Sequence, residues 1–263
     1  MLLVVDVGNT QTHFGVYHDG EEVVAEDWRF ATVRESTRDE LGAALANLLG
    51  LRGLGFTDID RSIVSSTVPQ LSQEWTAMAE RYLGHEMLNV GPSIRTGMPI
   101  RIDNPREVGA DRLVNAIAAH ARFARGCVVV DFGTAITYDA VSDHGEYLGG
   151  IITPGAEISL DALYERAAKL PKVEMLEPRA LIGKSTVEAI RSGIAFGFAG
   201  QVEGIVRRLR GELGEDTPVI ATGGLAHVVV PFAKETIDEV DDLLTLTGLR
   251  LIWERNTLPV AEP

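Results

Sequence analysis

Two turns with the same residue order, each directly after an apolar run, constrain the fold of this chain most. Asp6-Val7-Gly8-Asn9-Thr10 follows the run Leu2–Val5, and Asp131-Phe132-Gly133-Thr134-Ala135 follows Cys127–Val130. A third apolar run ends in Thr222-Gly223-Gly224. Glycine lets backbone approach a phosphate closely, while neighbouring N–H groups and hydroxyls donate to its oxygens. The recurrence predicts a duplicated nucleotide-binding architecture with a cleft between two similar halves.

Each turn taken alone also fits an ordinary strand connection, in which glycine supplies a positive φ and aspartate hydrogen-bonds its own backbone. Turn chemistry does not, however, require Asp, Gly and Thr to recur in one order after one kind of strand. In the nucleotide-binding interpretation the aspartates face a cation, because an uncompensated carboxylate is repelled by a polyanion.

Hydrophobic patterning predicts a hairpin, crossover helices and a parallel strand, twice over. The first half has predicted strands at residues 2–7, 13–17, 22–30 and 62–66, and helices at 38–49 and 71–83. The second half has predicted strands at residues 127–131, 135–141, 146–152 and 218–222, with helices dominating 156–213. The mostly helical segment 109–125 lies between the halves as a predicted hinge. This pattern indicates an α/β fold with two related domains.

Length and charge narrow the class of protein. A chain of 263 residues can bury a full core, and its net charge of -14 disfavours nucleic acid and anionic lipid as partners. No apolar run approaches the roughly 20 residues that span a bilayer, and no basic leader precedes Leu2. The single cysteine, Cys127, is predicted to be a core residue. The expectation is a cytoplasmic protein without a membrane or nucleic-acid partner.

Asp111 is the candidate catalytic residue. The segment Pro105–Leu113 opens a helix at the junction between the halves. Aspartate is a preferred N-cap type, so Asp111 fits the start of that helix. It fits equally a base that accepts a proton from a substrate hydroxyl, which is one of the few groups that phosphoryl transfer needs.

The segment Gly183-Lys184-Ser185-Thr186 is not a Walker A loop. Pro178 stands where the first glycine of that motif belongs, and no apolar strand precedes it. Ser185 and Glu188 instead predict a capping box at a helix start. Such an N-terminus offers free N–H groups, so Thr186 could hold a substrate carboxylate or hydroxyl.

Five motifs in order resemble those of type III pantothenate kinases: Asp6–Thr10, Asn104–Arg112, Asp131–Ala135, Gly183–Thr186 and Thr222–Gly224. The segment Leu244–Leu249 also matches, so the likeness runs from Leu2 to about Leu251. The resemblance implies two ribonuclease-H-like domains of the actin and sugar-kinase type that flank a nucleotide cleft. Residues 1–114 would form the N-terminal domain with the first phosphate loop, and residues 115–263 the C-terminal domain with the second phosphate and adenosine loops.

The resemblance further implies ATP-dependent phosphorylation of pantothenate to 4'-phosphopantothenate, the first step of coenzyme A biosynthesis, by a cytoplasmic homodimer whose interface helps build the pantothenate site. Mg²⁺ would accompany ATP, and Asp131 would bind a monovalent cation, K⁺ or NH₄⁺. The implied ATP-binding residues are Asp6, Val7, Gly8, Asn9, Thr10, Gln11, Thr12, His13, Thr134, Gly223 and Gly224. The implied pantothenate-binding residues are Ile102, Gly109, Ala110, Asp111, Arg112 and Thr186, with Asp111 as the proton acceptor.

One position departs from the family pattern. Members often have a tyrosine at the position of Ile102, so the apolar wall is kept and one hydrogen bond to pantothenate is lost. Two alternative functions remain open: a non-catalytic regulatory relative, and a kinase for another small alcohol or sugar. Asp111 and the intact phosphate loops argue against the first alternative. The Gly109–Arg112 motif argues against the second.

Overall fold

The computed structural model describes residues 1–91, 93–167 and 170–257. The chain divides into two compact units. Unit 1 contains residues 1–98, residues 104–118 and the described residues from Leu243 onward. Unit 2 contains residues 99–103 and 119–242.

Unit 1 is built on a five-stranded mixed sheet in the order β3-β2-β1-β4-β5. The first three strands form an antiparallel meander, and β4 and β5 run parallel to β1. The strands are β1 (Leu2–Val7), β2 (Gln11–Tyr17), β3 (Glu26–Ala31), β4 (Arg61–Ser66) and β5 (Leu88–Asn89). The helices of this unit are α1 (Arg38–Gly50), α2 (Pro69–Met78), the first part of α3 (Ala110–Phe123), and α7 (Leu244–Thr257).

The central strand β1 is apolar on both faces because helices cover both. On one face, Val5 and Phe14 join Leu45 of α1 and Trp75 of α2 in one buried cluster. Each such side chain contributes about 1.5–3 kcal/mol through burial. On the other face α7 packs on β1 and β4. A strand covered in this way reads as a continuous apolar run, which is why the sequence predicts it so clearly.

Unit 2 repeats this topology in the order β10-β9-β6-β7-β8. Its first three strands again form an antiparallel meander, and the fourth and fifth again run parallel to the first. The strands are β6 (Cys127–Phe132), β7 (Ala135–Val141), β8 (Tyr147–Pro154), β9 (Val219–Thr222) and β10 (Glu239–Val240), and the helices that lie wholly in this unit are α4 (Ala156–Arg166), α5 (Thr186–Leu213) and α6 (Ala226–Val229). The same strand order in both units confirms the predicted α/β duplication of ribonuclease-H-like domains.

The core of unit 2 lies between its sheet and α5. Val130, Tyr138 and Val219 of the sheet pack in one buried cluster with Val202 and Val206 of α5. Cys127, on β6, is also buried, as predicted, and burial raises the pKa of its thiol to about 12. A thiol with that pKa stays protonated at neutral pH and is a poor nucleophile.

The two units differ from the predicted ranges 1–114 and 115–263 mainly because α7 belongs to unit 1 and residues 99–103 belong to unit 2. Gly248 of α7 packs so closely on Val114 that an added Cβ would lie 2.2 Å from the Val114 carbonyl oxygen. The guanidinium of Arg61 also lies over the ring of Trp253, 5.1 Å from its centroid. The predicted ranges stay a prediction of the domain division.

The observed elements differ from the predicted ones most clearly in three places. Strand β3 begins at Glu26 rather than at residue 22, and α2 ends at Met78 and continues as a π-helical turn to Leu83. The region 156–213 is interrupted between α4 and α5, and Pro171 and Pro178 lie in that interruption. Proline has no N–H and disfavours helical backbone in the preceding residue, so neither helix extends across it.

Across the described ranges, no helix has the length and apolar character needed to cross a membrane.

Candidate active site

The first predicted phosphate loop is the tight turn between β1 and β2. Gly8 donates its N–H to the Gln11 carbonyl at 3.0 Å, which closes the turn. Asn9 and Thr10 are exposed at its tip, and Asn9 Oδ1 accepts a hydrogen bond from Arg34 at 3.3 Å. The turn therefore presents backbone and small polar side chains to solvent, as a phosphate-binding loop requires.

The strand residues that flank this turn have other surroundings. Val7 is fully buried in the apolar cluster, so only its backbone is available to a ligand. Thr12 Oγ1 hydrogen-bonds Thr32 Oγ1 at 2.9 Å, and His13 Nε2 lies 2.8 Å from Asp27 Oδ2. The sequence patterns did not indicate the His13–Asp27 pair, because only the register of β2 against β3 brings the two residues together.

Asp111 lies in the first turn of α3, one residue after the helix begins at Ala110. The Gly109 carbonyl accepts the N–H of Leu113 at 3.2 Å, so Gly109 occupies the N-cap position and Asp111 does not. An added Cβ on Gly109 would lie 2.6 Å from Asp111 Oδ1, so a larger residue there would displace this carboxylate. The N-cap interpretation of Asp111 is therefore wrong for this helix.

The electrostatic surroundings of Asp111 suit a proton acceptor. Burial raises the pKa of the Asp111 carboxyl above its usual range, and the N–H and the charge of Arg112 offset part of that rise. The N–H of Arg112 donates to Asp111 Oδ1 at 2.9 Å. A carboxylate with a raised pKa binds a proton more strongly than an exposed aspartate does, which favours general-base catalysis.

The second predicted phosphate loop connects β6 and β7 in unit 2. Gly133 closes the turn through its N–H to the Ala135 carbonyl at 3.1 Å, and Thr134 is exposed at the tip. Gly223, with φ +95°, lies against Asp131, and an added Cβ there would stand 2.5 Å from Asp131 Oδ1. The structure thus brings Asp131 and Gly223 together, and Gly224 follows exposed.

Two threonines flank Asp131 on the neighbouring strands. Thr222 of β9 and Thr137 of β7 both pair with Asp131 in register. A carboxylate, two flanking hydroxyls and nearby backbone form a set of hard oxygen donors, which is the type of ligand that binds hard cations such as K⁺. The donor set and the close approach of Gly223 fit a bound monovalent cation at Asp131.

The two remaining predicted residues for pantothenate lie in unit 2. Thr186 is exposed at the first position of α5, behind the N-cap Ser185, whose Oγ accepts the N–H of Glu188 at 3.2 Å. This is the hydrogen bond that Ser185 makes in the predicted capping box. The Glu188 carboxylate forms an ion pair with Arg191 at 3.1 Å. Ile102 packs on Gly149, with its Cγ2 3.3 Å from the place of an added Cβ.

The predicted site residues are thus divided between the units. Unit 1 holds Asp6 to His13 and Gly109 to Arg112, and unit 2 holds Ile102, Asp131, Thr134, Thr186, Gly223 and Gly224. The sequence patterns gave no role to Thr137, Asp139 or Tyr147. Asp139 and Tyr147 are buried, both Tyr147 and Thr137 donate to Asp139, and the half-buried Thr137 stands opposite Asp131 on β6. The available signal was the spacing Thr137-x-Asp139, which puts two polar side chains on one face of a strand.

Comparison with known proteins gives one consistent result. The sequence profile of the type III pantothenate kinase family matches residues 2–208. The chain is 50% identical to the type III pantothenate kinase of Moorella thermoacetica and 51% identical to that of Syntrophus aciditrophicus, in each case over 98% of this chain and 100% of the relative. The solved structure of a ROK family glucokinase from Streptomyces griseus has a TM-score of 0.50 at 14% identity, covering 95% of this chain and 98% of that one, which shows a common fold alone. Because the profile covers most of the chain and about half of the residues are identical along its length, this chain belongs to the type III pantothenate kinase family.

Proposed function

We propose that this protein transfers the γ-phosphoryl group of ATP to pantothenate, forming 4'-phosphopantothenate and ADP in the first step of coenzyme A biosynthesis. The observation that carries the proposal is full-length identity of about half to type III pantothenate kinases. The exposed glycine turns after β1 and β6 and the half-buried Asp111 supply the groups that such a reaction needs. A cytoplasmic location accords with ATP as the phosphoryl donor.

Asp111 acts as the general base. The primary alcohol oxygen of pantothenate attacks the γ-phosphorus, the bond from that phosphorus to the bridging oxygen breaks, and ADP leaves. The alcohol proton passes to the Asp111 carboxylate. Phosphoryl transfer depends mainly on positioning and charge stabilisation, so one positioned base and two phosphate-binding turns are sufficient protein chemistry.

The two turns bind the phosphates of ATP. The turn Gly8–Thr10 and the flanking residues Asp6, Val7, Gln11, Thr12 and His13 form the first loop, with Val7 contributing through its backbone. Thr134, Gly223 and Gly224 form the second. Asp131 would hold K⁺ or NH₄⁺, which would supply positive charge near the phosphates in addition to the Mg²⁺ that accompanies ATP.

Pantothenate is held by residues Gly109 to Arg112, Ile102 and Thr186. Thr186 offers a hydroxyl at a helix N-terminus, where a negatively charged or hydroxyl group is favoured. Ile102 supplies an apolar wall without a hydroxyl. Pantothenate therefore makes one hydrogen bond fewer here than with a tyrosine at that position.

A second copy of this chain covers an apolar edge of unit 2. Among the described residues, nine of the fourteen large exposed apolar side chains fall between positions 148 and 182, which is far denser than in the rest of the chain. They are Leu148, Ile151, Ile152, Ile158, Leu163, Tyr164, Leu176, Leu181 and Ile182. Strand β8 is also the edge strand of the sheet; residues 99–101 pair with it at Tyr147, and its apolar remainder is a site for pairing with another chain. Leu181 and Ile182 lie just before Thr186, so this interface extends toward the pantothenate site.

Replacing Ile152 by glutamate is expected to convert the dimer to a monomer. Ile152 is 62% exposed on β8, so the change introduces a charge at the interface without disturbing the core. Size-exclusion chromatography with light scattering should show the mass of two chains for the wild type and of one chain for the variant. Val23→Glu, an equivalent change at a 73% exposed position of unit 1, is the control and should stay dimeric. A dimeric Ile152→Glu protein would contradict this interface.

ADP release with and without pantothenate tests the proposed function. The expected result is turnover that requires pantothenate, with little release when a sugar or acetate replaces it. Binding of ATP without turnover would favour the non-catalytic regulatory alternative. Turnover only with another alcohol would favour a different kinase.

A further inference from the structure

A buried carboxylate on β7, Asp139, has no part in the proposed reaction. Its side chain is fully buried. Tyr147 donates its hydroxyl to Asp139 Oδ1 at 2.6 Å, and Thr137 donates its hydroxyl to Asp139 Oδ2 at 3.0 Å. Burying a carboxylate costs several kcal/mol unless hydrogen bonds compensate, so its place in the core calls for an explanation.

Thr137 connects this carboxylate to the proposed cation site. On β7, Thr137 and Asp139 point to the same face, and Thr137 stands directly opposite Asp131 on β6. Directly opposite residues in an antiparallel pair have Cβ atoms about 4.5–5.5 Å apart. The Thr137 side chain is therefore a neighbour of both Asp131 and Asp139 on one face of the sheet.

The direction of the Thr137 hydrogen bond determines what this hydroxyl can offer. A hydroxyl has one proton to donate and two lone pairs to accept with. Its proton is committed to Asp139. The oxygen is therefore left with lone pairs, which suit a cation and not an anionic phosphate.

We propose that Thr137 supplies an oxygen ligand to the monovalent cation held by Asp131, and that Asp139 is a positioning residue that keeps the Thr137 proton turned away from that cation. This inference rests on the proposed function, because it takes Asp131 as the cation ligand. The inference gives the buried Asp139 carboxylate a role in cation binding. The alternative is that Asp139 only joins β7 to β8 through Tyr147.

Equilibrium cation binding, measured without substrates, tests the inference. The readout is the KCl concentration that gives half of the K⁺-specific rise in Tm. Choline chloride holds the ionic strength constant, and a parallel titration with NaCl is the reference. Thr137→Val keeps the shape of the side chain and removes the lone pairs. It is expected to raise this midpoint about tenfold, a typical loss for a disturbed metal site.

Two further variants separate positioning from structure. Asp139→Asn is expected to raise the midpoint by a similar factor of about ten, because its amide can donate to Thr137 and occupy a lone pair. Thr137→Ser retains the hydroxyl and should keep a midpoint close to that of the wild type. Tyr147→Phe removes a second donor to Asp139 and should also leave the midpoint close to the wild-type value. If Asp139 has only a structural role, Asp139→Asn should change Tm in NaCl and leave the K⁺ midpoint unchanged.

The outcomes distinguish this inference from the proposed cation site. A wild-type midpoint in either folded variant, Thr137→Val or Asp139→Asn, overturns the inference. If Asp131→Asn abolishes the K⁺ response while both of those variants keep it, the site at Asp131 stands and the role of Thr137 does not. If the wild type shows no K⁺-specific rise in Tm, both proposals fail.

Discussion

Replacing Asp111 by asparagine is expected to lower kcat by about 10² to 10⁴, the usual cost of losing a general base. The amide cannot accept the alcohol proton. Its oxygen can still accept the N–H of Arg112, which donates to Asp111 Oδ1 at 2.9 Å, so the first turn of α3 should remain intact. Steady-state kinetics with saturating ATP and pantothenate measure the fall, and Tm and ATP binding should change little.

Glu107→Gln is the matched control for this variant. Glu107 is an exposed carboxylate in the same segment, and its Oε1 accepts a hydrogen bond from Asn104 that the amide oxygen can keep. Its kcat should equal that of the wild type. A folded Asp111→Asn protein with near-wild-type kcat would leave positioning and cations to carry the chemistry.

The pH dependence of the wild type provides a second measure of Asp111. The residue must be ionised to accept a proton, so kcat/KM should be constant above its pKa and fall as pH drops through it. Because burial raises this pKa, the fall should occur at higher pH than for an exposed aspartate, whose pKa is about 3.9. In the Asp111→Asn variant this acidic limb should disappear.

Replacing Asp131 by asparagine is expected to raise the K⁺ concentration for half-maximal rate at least about tenfold. The change removes the charge that attracts the cation while keeping the size of the side chain beside Gly223. Initial rates in KCl, NH₄Cl and NaCl at constant ionic strength measure it. The wild type should be faster in the first two salts, and the variant should respond little to the choice of salt.

Asp216→Asn, at an exposed position of unit 2, makes the same chemical change away from the loop and should retain the K⁺ response. Equal wild-type rates in all three salts would count against a cation site at Asp131. So would an unchanged K⁺ dependence in the Asp131→Asn variant.

The sequence predicts the repeated part of the fold well, because the two central strands are covered on both faces. Runs such as Leu2–Val5 and Cys127–Val130 leave little alternative to a buried strand, and the glycine turns after them fix where each strand ends. Strand β3 is harder to predict. It alternates in burial at the sheet edge, and the apolar residues Val23 and Val24 before it are not part of the strand.

Side-chain partners depend on register and are not visible in one sequence. The pairing of His13 with Asp27, and of Thr137 with Asp139 beside Asp131, exists only once the strands are aligned. The placement of α7 in unit 1 likewise depends on its packing against β1 and β4. From the sequence, Asp111 fits either an N-cap or a catalytic base; the Gly109–Leu113 hydrogen bond excludes the N-cap position, and the role as base stays a prediction.

The mass spectrum of the reaction product tests the central claim most directly. Protein incubated with ATP, Mg²⁺, K⁺ and pantothenate should yield pantothenate that carries one phosphoryl group, and fragmentation should locate that group on the primary alcohol. ADP and this product should accumulate in equal amounts. ADP formed equally without pantothenate, or a sugar as the only phosphorylated acceptor, would contradict the proposed function.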